Sequence, residues 1–240
     1  MPPILLSLAH FCDKHGPKVI MVTQVGDDDD PQGKSLLVPE YSTESYCESC
    51  LLHLPREQEI GTRSMRTTVE SSSYVSTQYS TTRYQLLSYI TRKAFSEESL
   101  IYDGSPLVFF DDIRGLNLVI GFKLYDENAR GNERRYCFIF TLDSRDQEQA
   151  MKVLADHWVL ILRSFHKMIE FIKGRHESKQ TRERQSSTAS NPFLGDYLKV
   201  NKQKTATNLI TLTNDDYLFV RIHKWNVFLL SSLIATTMKS

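Results

Sequence analysis

The sequence predicts an α+β fold, an α/β/α sandwich in which a five-stranded antiparallel sheet carries one helix on one face and two on the other. Three observations lead to this prediction. Five short apolar runs have the length of strands, and three longer segments repeat apolar residues every three or four positions. Short polar loops join the later runs. The inferred order is two strands, one helix, three strands and two helices.

The first two strands form a hairpin at the start of the chain. Residues Ile4 to Cys12 and Lys18 to Val25 are rich in Leu, Ile and Val, and the Gly16-Pro17 pair between them marks a turn. Both runs are nearly continuous in apolar residues, as in sheets that are covered on both faces. We therefore expect helices on both sides of the sheet.

The regular pattern is lost over residues 26–80. This segment contains four consecutive aspartates, then scattered Pro, Glu and Arg, and finally a part rich in Ser and Thr. Packed domains rarely contain so long a stretch without regular structure, so we predict a largely disordered insertion at about 26–80. The prediction is a single domain over residues 1–240 that contains this insertion.

One helix and three strands follow the insertion. A helical period extends from Thr82 to Phe95. Short polar loops, which suit antiparallel neighbours, separate the next three apolar runs. These runs are Leu107 to Phe110, Leu116 to Tyr125 and Arg135 to Leu142. Because the first helix would then serve as a crossover, we expect the first strand to lie beside the third.

Two helices complete the fold. An apolar stripe runs from Gln147 to Lys173, and Gly174 is its predicted C-cap. A polar linker at about 175–207 separates it from a last helix that opens near Thr213. The apolar stretch from Trp225 to Ala235 is about half as long as a bilayer-spanning helix, so no membrane span is predicted.

Composition excludes several classes of protein. The chain has 29 Lys and Arg residues against 29 Asp and Glu residues, a balance that argues against a dedicated nucleic-acid binder. Four cysteines are too few for a disulfide framework, and the N-terminal segment lacks the basic leader of a secretory signal. The prediction is therefore a cytosolic protein, or one bound peripherally to the cytosolic face of a membrane.

The sequence also contains one pair of cysteines with metal-ligand spacing. Cys47 and Cys50 form a Cys-x-x-Cys motif, but a structural zinc site needs four ligands and the chain has no second such motif. Cys12, His10 or His53 would complete a site only if the insertion folded back on the first hairpin. The sequence prediction is therefore two free thiols, with no metal and no other cofactor.

No motif of a self-contained enzyme is present. The chain has no Gly-rich phosphate loop, nucleophile elbow or metalloprotease helix. A basic run near the end of the long helix is typical of a solvated helix end, and it is also suited to peripheral contact with an anionic membrane. The run comprises Lys173, Arg175, Lys179, Arg182 and Arg184.

A series of short segments, all in the same order, resembles the folliculin family. The segments are Leu8–Cys12, His15–Lys18, Cys47–Cys50, Tyr74–Gln78, Gln85–Ser88, Pro106–Phe110, Ala129–Gly131 with Arg134, and Leu212–Asp216. Each one is weakly informative, but together they extend over nearly the whole chain. The predicted order of elements also matches the longin domain that begins folliculins. The chain is similar to the short fungal form, because animal folliculins continue into a DENN domain.

The resemblance implies a function. Folliculin and its partner, the folliculin-interacting protein, which is itself a longin-DENN protein, form a heterodimer that acts on Rag-type small GTPases in amino-acid signalling to TORC1. It therefore implies a subunit of a complex that stimulates GTP hydrolysis by a RagC-type GTPase, in the cytoplasm and peripherally at the vacuolar (lysosomal) membrane. The alternative is a non-catalytic longin scaffold or trafficking adaptor that recruits the longin-DENN partner to that membrane.

The resemblance also implies how the chain meets its partners. The family's catalytic arginine lies before the last strand, and by motif it corresponds to Arg134, with Arg130 as a rival. We expect Arg134 to project from a loop as an arginine finger, since a residue within the sheet would not reach a GTPase. Edge-to-edge pairing of sheets is the expected dimer mode. The predicted edge is at or next to the Leu116 to Tyr125 strand, or at the first hairpin.

Overall fold

A seven-stranded antiparallel sheet forms the centre of the protein, with the strand order β3-β4-β2-β1-β7-β6-β5. The computed structural model describes residues 3–26, 47–55, 64–78, 84–96, 100–188 and 206–237. The strands are β1 (Ile4–Cys12), β2 (Gly16–Val25), β3 (Ser64–Val69), β4 (Ser72–Thr77), β5 (Pro106–Asp111), β6 (Gly115–Tyr125) and β7 (Glu133–Leu142). The helices are α1 (Tyr84–Ser96), α2 (Gln147–Thr188), α3 (Leu209–Thr213) and α4 (Leu218–Thr237).

The predicted α+β class and antiparallel sheet are confirmed, but the predicted number of five strands is wrong. The two additional strands, β3 and β4, form a hairpin within the segment that was predicted to be largely disordered. Its Ser and Thr residues indicated a solvated linker, yet several of them pair with neighbouring elements inside the fold. Met65, Tyr74 and Val75 supply the buried apolar side chains of the hairpin. Residues 27–46, 56–63 and 79–80 of the predicted insertion lie outside the described residues.

The centre of the sheet is β1, which pairs with β2 on one side and β7 on the other. The prediction that the first strand lies beside the Leu107–Phe110 run is therefore wrong. Strands β5, β6 and β7 form a meander whose last strand meets β1, and this leaves β5 at an edge. The edge predicted next to the Leu116–Tyr125 strand is thus present. The first hairpin, however, is interior, because β4 covers β2.

Helices cover both faces of the sheet: α1 lies on the first face, and α2 and α4, with the short α3, lie on the second. Ile90 and Ala94 of α1 pack against a cluster that includes Val119 and Ile139. On the opposite face α2 and α4 cover a larger core, where the rings of Phe138 and Phe165 stack with centroids 5.4 Å apart. The nearly continuous apolar runs in the central strands follow from burial on both faces.

Helix α2 continues past its predicted end. Gly174 was predicted as a C-cap, but the helix passes through it to Thr188. A single glycine costs a helix about 1 kcal/mol, which the surrounding turns can offset. The following residues favour helix, and Lys179 forms an i,i+4 ion pair with Glu183 at 3.4 Å. The first part of the predicted linker is therefore helical, and residues 189–205 lie outside the described residues.

Helix α4 is longer than the apolar stretch seen in the sequence. Residues 218–236 are long and apolar enough to cross a membrane by length and composition alone, although half of that window is buried within the fold. Its buried side chains include His223 and Asn226. The Asn226 Nδ2 atom donates to Thr23 Oγ1 at 2.8 Å, so this helix packs in the structure as a core helix of the sheet.

His223 connects α4 to the β3–β4 hairpin. Its two ring nitrogens hydrogen-bond with the hydroxyl groups of Ser76 and Thr67, at 2.7 and 2.9 Å. Burial, with a smaller contribution from Lys224, lowers the pKa of His223 from 6.5 to about 4. The imidazole is therefore neutral in the folded protein near pH 7.

This burial predicts a loss of stability in mild acid. The unfolded chain gains a proton on His223 near pH 6.5, whereas the folded chain gains it only near pH 4, so stability falls as pH decreases through this window. The expected loss from this group between pH 7 and pH 5 is about 2 kcal/mol. Urea unfolding at pH 7 and at pH 5 measures this loss of stability. His223→Gln should show a smaller loss, and an equal loss in the variant would contradict the assignment.

Candidate functional site

Arg134 lies inside the fold rather than on a projecting loop. It is the second residue of β7, pairs in register with Leu124 of β6, and is 4% exposed. Its Nε atom donates to Asp126 Oδ2 at 2.6 Å. The prediction that Arg134 projects from a loop is therefore wrong, because β7 begins one residue earlier and a buried carboxylate compensates the guanidinium charge.

Asp126 is the partner that permits this burial. The carboxylate is itself 5% exposed, and its Oδ1 atom accepts a hydrogen bond from the backbone N–H of Asn128 at 3.0 Å. Burial alone would lower the pKa of Arg134, but the hydrogen bond and the negative charge of Asp126 raise it overall. The Arg134 guanidinium therefore stays charged, and its ion pair with Asp126 closes the base of the β6–β7 turn.

Arg130, the rival candidate, lies at the tip of that same turn. The turn contains a short 3-10 helix, Arg130–Asn132, in which Gly131 and Asn132 have φ values of 72° and 59°. The backbone N–H of Arg130 donates to Asp13 Oδ2 at 3.0 Å, which joins this turn to the β1–β2 turn. The side chain is exposed and has no ion-pair or hydrogen-bond partner among the described residues. Its backbone is therefore fixed and its guanidinium is available.

The two cysteines with metal-ligand spacing lie against the first hairpin. Cys47 is the N-cap and Cys50 the last residue of a short 3-10 helix, Glu48–Cys50, that contacts β1 and β2. The ligand atoms of Cys12, His15, Cys47 and Cys50 all lie within 4.8 Å of one another. The segment that carries Cys47 and Cys50 therefore folds back on the first hairpin, which is the condition under which the sequence allowed a metal site.

The sequence suggested His10 or His53 as a further ligand, but the histidine in the cluster is His15. His10 is buried and stacks on Tyr136, with ring centroids 5.9 Å apart, and His53 hydrogen-bonds with the carbonyl oxygen of Glu48. Neither joins the cluster, whereas His15 does. A signal for His15 was available, since Cys12-x-x-His15 has the same spacing as Cys47-x-x-Cys50.

The thiols of the cluster interact electrostatically. The interaction of the Cys12 and Cys50 thiols favours a single negative charge between them, which lowers the pKa of Cys12 and raises that of Cys50. The backbone amides of Lys14 and His15 also help to lower the pKa of the Cys12 thiol. Cys137 is separate from the cluster, and burial in the sheet raises the pKa of its thiol.

Comparison with known proteins places these features in a family. The family model for folliculin, described as a vesicle coat protein involved in Golgi to plasma membrane transport, matches residues 72–233. The chain is also 56% identical to Protein LST7 of Saccharomyces cerevisiae over 240 residues, which covers 98% of both chains. The chain belongs to the folliculin family. The match to the family model includes the turn that carries Arg130 and Arg134.

In this member of the folliculin family, part of the basic run on α2 is engaged within the fold. Lys179 Nζ donates to the carbonyl oxygen of Thr211 at 2.7 Å, and Arg175 pairs with Asp215 at 3.5 Å. These contacts hold α2 against α3 and the start of α4. They also reduce the positive charge that the run presents to an anionic surface.

Proposed function

We propose that this chain is a subunit of a heterodimeric complex that stimulates GTP hydrolysis by a RagC-type small GTPase in amino-acid signalling to TORC1. Membership of the folliculin family supports the proposal, since the resemblance implies this activity. The observation that carries it is the exposed side chain of Arg130 on a turn whose backbone hydrogen-bonds to Asp13. The chain supplies one residue to the active site of another protein and is not a self-contained enzyme.

Arg130, rather than Arg134, suits the role of arginine finger. Charge builds on the transferred phosphoryl group during GTP hydrolysis, and an arginine inserted from outside raises the rate by roughly 10³- to 10⁵-fold. A finger must leave its own protein surface, and the Arg134 side chain is 4% exposed and bound to Asp126. In this proposal Arg134 is a positioning residue, which holds the turn from which Arg130 extends.

The partner is a longin-DENN protein of the folliculin-interacting type, and we propose that this chain pairs with it as a longin domain. Five contiguous strands, β2-β1-β7-β6-β5, correspond to the five predicted for that domain. Strand β5 ends the sheet with backbone groups available for a partner strand. Pro106 occupies its first position, where the missing N–H does not interrupt the ladder. The complex would act in the cytoplasm and peripherally at the vacuolar membrane.

The second candidate function is that of a non-catalytic trafficking adaptor. The burial of Arg134 favours it, because the residue that corresponds by motif to the family's catalytic arginine is already paired inside the fold. The description of the family model as a vesicle coat protein is also consistent with it. Here the chain would recruit its longin-DENN partner to a membrane, and Arg130 would be an ordinary exposed residue.

Single-turnover GTP hydrolysis separates the two functions. The RagC-type subunit is loaded with GTP within its Rag heterodimer and mixed with the purified complex of this chain and its partner, or with either protein alone. The first proposal expects the complex to accelerate hydrolysis well above the intrinsic rate. Binding of the complex to the GTPase without acceleration would reject that proposal and leave the adaptor function.

A further inference from the structure

The side chains of Cys12, His15, Cys47 and Cys50 have the arrangement of a tetrahedral metal site. With Zn–S bonds of about 2.3 Å and a Zn–N bond of about 2.0 Å, a tetrahedron separates two sulfurs by about 3.8 Å and a sulfur from a nitrogen by about 3.5 Å. The sulfur of Cys47 lies 3.5 Å from that of Cys12 and 3.7 Å from that of Cys50. The Nδ1 atom of His15 lies 3.7 Å from the Cys12 sulfur and 3.4 Å from the Cys50 sulfur.

We propose that these four residues bind a zinc ion at a structural site. Three thiolates and an imidazole form a donor set that binds Zn²⁺ well. Hard cations such as Mg²⁺ and Ca²⁺ prefer oxygen ligands and would bind here only weakly. Because the protein supplies all four ligands, no coordination position remains for water or substrate. The ion therefore stabilises the fold and takes no part in a reaction.

The backbone forms the site from two short turns of equal ligand spacing. Cys12 ends β1, and the turn to His15 closes at Gly16, whose φ of 69° suits glycine. In the second turn, the N–H of Cys50 donates to the carbonyl oxygen of Cys47 at 2.8 Å.

A buried hydroxyl and a buried amide support the second turn. Ser49 Oγ lies 3.1 Å from the Cys47 sulfur, within reach as a donor to a thiolate. Gln78, just beyond β4, donates from Nε2 to the carbonyl oxygen of Cys50 at 2.7 Å and accepts at Oε1 from the N–H of Leu52 at 3.1 Å. The segment is thus held against the sheet by protein contacts, and the ion would crosslink it to the β1–β2 hairpin.

A disulfide accounts less well for the same cluster. The two sulfur pairs at 3.5 and 3.7 Å are far from the disulfide bond length of about 2.05 Å. One disulfide would also leave the third thiol unpaired and give His15 no function. Zinc uses all four groups at once.

The site lies next to the turn that carries Arg130, so a bound ion would also affect that turn. Asp13 lies between Cys12 and His15, and its carboxylate accepts the hydrogen bond from the backbone of Arg130 at 3.0 Å. An ion that fixes the Cys12–His15 turn therefore also fixes one side of the turn that carries Arg130. The zinc proposal itself does not depend on the proposed GTPase function.

Metal analysis of the full chain tests the site. The protein is expressed with a tag that contains no histidine, purified under reducing conditions and assayed for metals by mass spectrometry. We expect one zinc ion per chain. After removal of zinc by a chelator, Co²⁺ should restore binding and give the intense visible absorption of a tetrahedral thiolate site, and the melting temperature should fall on chelation and recover with zinc.

Matched variants locate the ligands. The double variant Cys47→Ser/Cys50→Ser should lose the zinc and the Co²⁺ spectrum, whereas Cys137→Ala and His53→Ala should keep both. His15→Phe should lose tight binding, and His15→Cys should recover it with a Co²⁺ spectrum of four sulfur ligands. If the double variant does not fold, the chelation and Co²⁺ experiments on the unaltered chain still decide the question.

Several outcomes would overturn the proposal. The first is wild-type protein that contains no zinc and gives no thiolate Co²⁺ spectrum after reduction. Another is full retention of zinc in the Cys47→Ser/Cys50→Ser variant. Peptide mapping that finds a disulfide among Cys12, Cys47 and Cys50 in protein purified under reducing conditions would also reject it.

Discussion

Arg134→Ala is expected to lower the free energy of unfolding by about 3 to 5 kcal/mol, because it leaves the Asp126 carboxylate charged and unpaired in the protein interior. The two side chains are each about 4% exposed and meet at 2.6 Å. Urea unfolding, followed by the fluorescence of Trp158 and Trp225, measures the change. A surface ion pair would contribute at most about 1 kcal/mol, so the two cases are well separated.

Two further variants test the cause of this loss. Arg134→Met/Asp126→Leu removes both charges and should recover much of the stability, since apolar replacements of a buried pair are often tolerated. Arg114→Ala removes a half-buried arginine that pairs with Asp111 at 3.0 Å, and it should cost much less. A loss below about 1 kcal/mol for Arg134→Ala would show that the pair is hydrated in solution and that Arg134 is free to move.

Arg130→Ala is expected to lower the GTPase-activating rate of the heterodimer by about 10³- to 10⁵-fold while its binding to the Rag-type GTPase persists. The loss follows from removing the cation that would stabilise the transferred phosphoryl group. Arg130→Lys should recover little of the rate, because an ammonium group lacks the planar, bidentate geometry of a guanidinium. Single-turnover hydrolysis measures the rate, and a pull-down measures the binding.

Arg135→Ala is the matched control for this experiment. Arg135 is an exposed arginine of β7 whose guanidinium carbon lies 5.8 Å from the ring centroid of Tyr102, away from the turn tip. Its removal should leave hydrolysis unchanged. If Arg130→Ala retains full activity while a folded Arg134→Lys complex is inactive, the finger is Arg134 and the proposed assignment is wrong.

The fold was predictable where apolar residues dominate and was missed where hydroxyl residues do. The five predicted strands carry enough Val, Ile, Leu and Phe to reveal the buried sheet. Strands β3 and β4 are short and rich in Ser and Thr, and their burial depends on partners far away in the chain. Thr67 and Ser76 bind His223, which no local pattern indicates.

The candidate sites were also only partly predictable, because they depend on contacts that no local sequence pattern indicates. Ligand spacing drew attention to Cys47 and Cys50, but only the fold shows that Cys12 and His15 join them. Arg134 was assigned to a loop because the last strand was predicted to begin at Arg135, and the resemblance implied an arginine in the loop before that strand. Its burial depends on an ion pair with Asp126, eight residues earlier. A single buried ion pair produces no repeating sequence pattern from which it could be predicted.

The pairing of β1 with β7 has a consequence for how the chain folds during synthesis. On the side of β1 opposite β2, residues 4–11 pair with residues 135–142, so this central ladder cannot form until more than half of the chain has left the ribosome. Such distant pairing slows folding, and the strongly apolar β1–β2 hairpin remains exposed in the meantime. Nascent chains that stop before β7 should therefore engage chaperones or aggregate, and those that extend past Leu142 can close the sheet.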